Sequence, residues 1–261
     1  MKIIVCIKQV PDTTEVKLDP KTGRLIRDGV PSIINPDDKN ALEEALRIKD
    51  ENPDTTVTVV SMGPPQADVA MREALAMGDD EAILISGREF GGSDTWATSY
   101  IIATAIKKIP DYDIIFCGRQ AIDGDTAQVG PQIAEQLNIP QITYVQKLDI
   151  EGDKVIVQRQ LEDGYTVVEA KMPVLLTAIK ELNTPRYMTP KGIFEAYNKT
   201  VQVWGFNDVP VDAEKIGLKG SPTNVNRTFS PEAKGKGIML EGADKETVKT
   251  LIAKLDEKHL L

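Results

Sequence analysis

The residues with the most chemistry to offer stand close together. Arg119, Gln120, Asp123, Asp125, Thr126 and Gln128 supply a cation, amides, a hydroxyl and two carboxylates within one short stretch. That is more donors and acceptors than the capping of a single helix uses. The apolar run Ile114–Cys117 precedes them, bounded by Asp113 and Gly118, as expected of a strand covered on both faces. Ile133, Ala134 and Leu137 follow at helical spacing, and Asp125 or Thr126 is the expected N-cap. Such a loop leaves the carboxyl end of a strand and presents free backbone N–H groups at a helix start. In open α/β sheets nucleotides bind there, with phosphate at the positive end of the helix. Phosphate charge would be met by backbone N–H groups, Thr126 and Arg119. Asp123 and Asp125 would repel it, so ribose hydroxyls or the turn itself are their expected partners. The plainer alternative is that Asp-Gly-Asp-Thr is only a turn and a cap. The loop is neither a Walker loop nor a GxGxxG fingerprint.

Other chemistries lack their residues. The chain has 261 residues and a single histidine, His259, near the C-terminus, which argues against Ser–His or Cys–His catalysis and against a His-ligated metal. Its two cysteines, Cys6 and Cys117, each end an expected strand and are expected as buried free thiols in a reducing compartment. No cysteine pair has zinc spacing. A dinucleotide-dependent dehydrogenase lacks its glycine fingerprint. If the chain takes part in redox chemistry, a cofactor must carry it. The net charge of −9 opposes general binding to nucleic acid or to an anionic membrane. No apolar run is long enough to span a bilayer, and Met1–Val5 does not read as a signal peptide, so a cytoplasmic protein is expected.

The elements that would position the loop follow from hydrophobic periodicity. Lys2–Val10 reads as the first strand, and Pro11 as part of a turn. Lys8 at its end is a candidate phosphate or flavin contact, or a solvated lysine at the sheet rim. Val16–Val30 alternates around Asp19-Pro20-Lys21-Thr22-Gly23 as a hairpin would. Asn35-Pro36-Asp37-Asp38 is expected to cap a helix over about residues 39–49. Strands are expected at Thr56–Ser61, Ala82–Ser86 and Gln141–Val145, with helices between. The order β-α-β-α-β-α-β predicts an α/β fold with a doubly wound, mostly parallel sheet. The strand ends after Ile7, Ser61, Phe116 and Ser86 would converge on one crevice. Lys147–Ile150, Val155–Leu161 and Tyr165–Lys171 read as an antiparallel β-meander, followed by a buried strand at Val174–Ile179. Residues 1–200 are expected to form the nucleotide-binding domain. Residues 201–261, rich in breakers until a final helix over about 245–258, are expected to form an arm clasping another subunit.

Several segments together resemble the beta subunit of an electron-transfer flavoprotein, over nearly the full chain. They are Val5-Cys6-Ile7-Lys8-Gln9-Val10, Asn35-Pro36, Ala74-Leu75-Ala76-Met77-Gly78, Gly118–Asp125 and Pro185-Arg186-Tyr187. The resemblance implies an adenine-nucleotide alpha-hydrolase-like fold and a heterodimer with an alpha subunit that carries its own flavin adenine dinucleotide (FAD). It implies nucleotide contacts at Cys6, Asn35, Pro36, Asp37, Asp38, Met62 with Gly63, and the run Gly118, Arg119, Gln120, Ala121, Ile122, Asp123, Gly124, Asp125, Thr126, Ala127, Gln128 and Val129. Lys8, Gln9 and Arg119 are candidates for tuning a flavin. In one branch of the family the ligand is AMP; in the electron-bifurcating branch it is a second FAD. Thr13 and Asp37 stand where AMP-binding members commonly carry a tyrosine and an aromatic. Less bulk there is consistent with room for an isoalloxazine, so FAD is the expected occupant. The bifurcating branch takes hydride from NADH and passes electrons to ferredoxin and, through the alpha-subunit flavin, to an acyl-CoA dehydrogenase or enoyl-CoA reductase. Pro185, Arg186, Tyr187, Pro190, Ile193 and Phe194 match the family's partner-recognition loop, with Pro190 where a leucine anchor is often found. Ile193 and Phe194 read equally as core residues of a short helix. The rival from another class is a nucleotide-binding regulatory module with neither flavin nor alpha subunit.

Overall fold

The computed structural model describes residues 1–12, 31–226 and 235–261. Thr13 and the expected hairpin over 16–30 lie outside them. The described chain divides into two units, Met1–Asn224 and Val225–Leu261.

The first unit is built on a nine-stranded sheet. Its strands are β1 (Lys2–Cys6), β4 (Thr56–Met62), β5 (Glu81–Ile85), β6 (Ile114–Gly118), β7 (Gln141–Glu151), β8 (Lys154–Gln160), β9 (Tyr165–Lys171), β10 (Val174–Ala178) and β11 (Val201–Trp204). They run in the order β11-β5-β4-β1-β6-β10-β7-β8-β9. All pairings are parallel except β7–β8 and β8–β9. Alternate residues of β1 explain the two layers of helix. Ile3 and Val5 join one apolar cluster with helices α1 (Pro36–Glu51) and α2 (Asp68–Met77). Ile4 and Cys6 face a second cluster with α3 (Thr95–Ile106) and α4 (Val129–Leu137). Phe116 and Ile115 divide between the clusters in the same way. A strand buried on both faces reads as continuously apolar, which is why these runs stand out.

Three expectations need correction. The first strand ends at Cys6, and Gln9–Pro11 forms a separate short strand, β2, antiparallel to β3 (Ser32–Ile34). Pro11 therefore lies in a strand, but in a two-stranded ribbon where a missing N–H is tolerated. The antiparallel meander is present as expected: β7 runs unbroken from the parallel part of the sheet into it, and β10 inserts between β6 and β7. Residues 201–224, assigned to the arm, belong to the first unit. There β11 pairs with β5, and Val209 and Ile216 are buried in the second cluster. Polar breakers hid these short apolar anchors.

Helix α5 (Pro190–Asn198) packs on α2, and the short helix α6 (Gly217–Gly220) lies near the loop after β5. In the second unit, α7 (Lys245–Glu257) is capped by Asp244, which accepts from Thr247 N–H at 2.8 Å. Its Val248, Leu251 and Ile252 recur at helical spacing and are about half exposed. Among the described residues no helix is long and apolar enough to cross a membrane.

Candidate functional site

In the sheet, β4 and β5 lie to one side of β1 and β6 to the other, so the chain reverses direction between β1 and β6. A crevice opens at the carboxyl ends of parallel strands at such a reversal. Here it has a volume of about 1120 Å³. Its lining includes Cys6 to Pro11 after β1, Met62 to Ala67 after β4, Ser86 to Thr95 (Glu89 excepted) after β5, and much of Cys117 to Gly130 after β6.

The loop after β6 takes its shape from a buried side chain on another element. Asn35, fully buried at the start of α1, donates to Gln120 O at 2.8 Å and accepts from Ile122 N–H at 3.0 Å. Its own N–H donates to Lys8 O at 2.9 Å. It is the N-cap residue of α1 by position, but its side chain makes no capping bond. Asp38, one turn in, ties the same two strand ends. Its carboxylate accepts from Lys8 N–H at 2.8 Å and from Gly118 N–H at 3.0 Å. Burial pushes this carboxyl up to about 7, against the pull of the Asn35 side chain and the two N–H donors. A Cβ on Gly118 would lie 2.2 Å from Asp38 Oδ1, so only glycine permits the approach.

Two cations of the rim, Lys8 and Arg119, have acidic partners. Lys8 Nζ donates to Asp123 Oδ1 at 2.6 Å. Arg119 Nε lies 3.2 Å from Asp37 Oδ2, an ion pair without an aligned hydrogen bond. Burial raises the Asp37 carboxyl above its ordinary value, opposed by Arg119. Asp125 accepts from Gln120 Nε2 at 2.8 Å. Gln9 Nε2 reaches Gln66 O at 3.4 Å.

Backbone groups at the start of α4 are among the donors left for an anion. Asp125 and Ala127 have positive φ of 50° and 52°. Gln128 follows in the right-handed region and is the N-cap of α4, with no side-chain capping bond. The expected caps Asp125 and Thr126 thus lie short of the helix start. A left-handed residue followed by a right-handed one turns successive N–H groups to one side, a concavity suited to anions. Left-handed alanine costs on the order of 1 kcal/mol. Thr126 to Gly130, which carry these amides, all line the crevice. The first-turn N–H groups of a helix without a capping side chain need an outside acceptor. A nucleotide phosphate is chemically suited to this place. The apolar Ile85, Phe90 and Ile102 at the β5 side suit a flat ring system.

Of the residues singled out by sequence, Cys6, Lys8, Gln9, Asp38, Met62, Gly63, Gly118 to Ala121, Gly124 and Thr126 to Val129 line the crevice. Asn35, Pro36, Asp37, Ile122, Asp123 and Asp125 are not in its lining; Asn35, Asp123 and Asp125 are held in the hydrogen bonds and ion pairs that shape it. Asp37 is turned to Arg119, so its small side chain does not of itself widen the crevice. Sequence reasoning brought the strand end after Ser86 to the crevice but named none of the residues that follow it as contacts. Gly91-Gly92-Ser93-Asp94-Thr95 was the available signal, a glycine-rich approach to a helix start. Asp94 caps α3 through Ala97 N–H at 3.0 Å, and Thr95 Oγ1 donates to Gln128 Oε1 at 2.9 Å across the crevice.

Away from the crevice, the segment 183–189 is fastened to α1. Arg186 makes a two-pronged pair with the buried Glu43, at 2.9 and 3.0 Å, and reaches Asp50 at 2.8 Å. Beyond this anchor Tyr187, Phe194 and Tyr197 are exposed, at 96%, 77% and 72%, with Ile193 beside them. Phe194 and Ile193 are therefore not core residues of α5. A Cβ on Gly192 would meet Ala76 O at 2.3 Å, so α5 lies directly on the backbone of α2.

Comparison with known proteins agrees with this architecture. The model of the electron transfer flavoprotein domain matches residues 22–209. An electron transfer flavoprotein subunit beta of Thermoanaerobacterium thermosaccharolyticum is 62% identical over the whole of both chains. The caffeyl-CoA reductase-Etf complex subunit CarD of Acetobacterium woodii is 58% identical, again over the whole of both. The acryloyl-CoA reductase electron transfer subunit gamma of Anaerotignum propionicum is 53% identical over both full lengths. A match of this extent, on a crevice at the reversal point of a doubly wound sheet, shows that the chain belongs to the electron transfer flavoprotein family, among its beta subunits.

Proposed function

We propose that the crevice holds FAD, and that the protein is the beta subunit of an electron-bifurcating flavoprotein. The carrying observation is the reach of the crevice. It runs from the uncapped start of α4 across the ends of β6, β1 and β4 to the apolar side of β5. At about 1120 Å³ it stands at the upper end of what a drug-sized ligand needs, a scale that suits a dinucleotide. The relatives named for caffeyl-CoA and acryloyl-CoA reductases support the same reading.

The amides of Thr126 to Gly130 would take the phosphates, and Phe90, Ile85 and Ile102 would shield a ring from water. Bound there, the flavin would supply hydride acceptance from NADH and one-electron transfer to ferredoxin and, by way of an alpha-subunit FAD, to an acyl-CoA dehydrogenase or enoyl-CoA reductase. The chain's own residues bind and orient. Lys8 and Arg119, each beside a carboxylate, set a nearly balanced local charge, and Asp38 and Asn35 hold the two walls in register. The exposed aromatic face of Tyr187, Phe194 and Tyr197 is the proposed dehydrogenase contact, and residues 225–261 are the proposed clasp on the alpha subunit. Flavin content of the purified heterodimer tests the reading. Two FAD per heterodimer are expected; one flavin with one AMP would replace it with a simple electron carrier.

A further inference from the structure

Cys6 and Cys117 are the only cysteines of the chain, and they are register partners on the adjacent parallel strands β1 and β6. Residues so paired point to the same face, and neighbouring strands lie about 4.7–4.9 Å apart. That is inside the range of Cα separations seen in disulfides, about 4.4–6.8 Å. Both thiols line the crevice floor at the point where the sheet reverses; Cys6 is half-buried and Cys117 buried, and both are free. We infer that these two thiols form a redox site, oxidised by hydroperoxides to a reversible cross-strand disulfide.

The order of events follows from exposure. The Cys6 sulfur, open to the crevice, attacks the peroxide. A sulfur–oxygen bond forms, the oxygen–oxygen bond breaks, and the leaving hydroxide takes the thiol proton as water. The Cys117 sulfur then attacks the Cys6 sulfur; the disulfide forms, the sulfur–oxygen bond breaks, and the second water carries off the Cys117 proton. Two electrons pass from the two thiols to one peroxide. A hydrogen bond with Cys6, burial, and the charges of Cys6 and Asp38 hold the Cys117 thiol well above its ordinary pKa. The Cβ atoms of a relaxed disulfide lie about 3.5–4.5 Å apart, closer than two parallel strands bring them. The bond therefore forms under strain and is readily reduced, as switch-type rather than structural disulfides are.

The bridge rests on strand register alone; its dependence on crevice occupancy rests on the nucleotide reading. The test treats the purified full-length protein with hydrogen peroxide, with and without AMP, and follows intact mass under non-reducing conditions. Expected is a loss of about 2 Da, the two thiol hydrogens, reversed by dithiothreitol and absent from both Cys6→Ser and Cys117→Ser. Two variants are used so that a folding defect in one leaves the other to report. Oxygen adducts on Cys6 without loss of hydrogen, or bridges between chains only, would overturn the inference. AMP is expected to slow bridging at least tenfold. Bridging at an equal rate with AMP would uphold the disulfide and count against a nucleotide over the crevice floor.

Discussion

Asn35 shows how much of the crevice depends on one side chain. It satisfies a carbonyl and an N–H of the loop after β6 from a fully buried position. Asn35→Ala leaves both without partners and is expected to cost about 2 kcal/mol, read by chemical denaturation. Affinity for the proposed FAD should fall at least tenfold in the same variant, because the loop loses its mould. Asp38 makes a different prediction. Its folded pKa, about 7, lies above the unfolded value of 3.8, so the native state holds a proton that the unfolded chain releases. Stability linked to this group is therefore full below about pH 4 and is lost as pH rises toward 7, at about 1.4 kcal/mol per unit. In Asp38→Asn that part of the slope should vanish when urea midpoints at pH 5 and pH 7 are compared. Both residues were visible in the sequence as a helix cap, the usual work of Asn and Asp before an apolar repeat. Nothing local could reveal that their side chains turn instead to strand ends 80 or more positions away.

Elements carry their own consequences. Gly192 lies against Ala76 O, so Gly192→Ala must push α5 away from α2. A cost of about 1–3 kcal/mol is expected, with weaker acyl-CoA dehydrogenase binding as measured by titration calorimetry. Glu43→Gln removes the charge that the two-pronged Arg186 contact requires. With Arg186 partly exposed, about 2 kcal/mol is expected, below the cost of breaking a fully buried pair. The parallel strands and their helices were legible because burial on two faces, or on one stripe, leaves a period in the sequence. Boundaries failed where that period says nothing. The run Lys2–Val10 is apolar enough to read as one strand, yet β1 ends at Cys6 while β4 and β6 run on beside it, and β2 begins a ribbon of its own. The four residues of β11 are too few to show a period, and only pairing with β5 defines them.

At the scale of the whole molecule, the core clusters contain no residue beyond Ile216 among the described residues. A chain ending at Asn224 is therefore expected to fold, with a melting temperature within a few degrees of the full-length protein. It should lose stable association with the alpha subunit, as read by size-exclusion chromatography. The crevice, its β5 side included, was foreseeable from the order of strands, whereas the contact residues on that side were not, since they lie in a loop whose glycines resemble any connection. One feature of the fold joins the two faces of the protein. Helix α2 starts immediately after Pro65–Ala67 in the crevice wall and ends beneath Gly192 of α5. Its ten residues make a rod about 15 Å long. With the Arg72 side chain of the same helix reaching Ala196 O near the end of α5, the crevice wall and the whole seat of α5 share one stiff spacer, so a displacement of either is transmitted to the other.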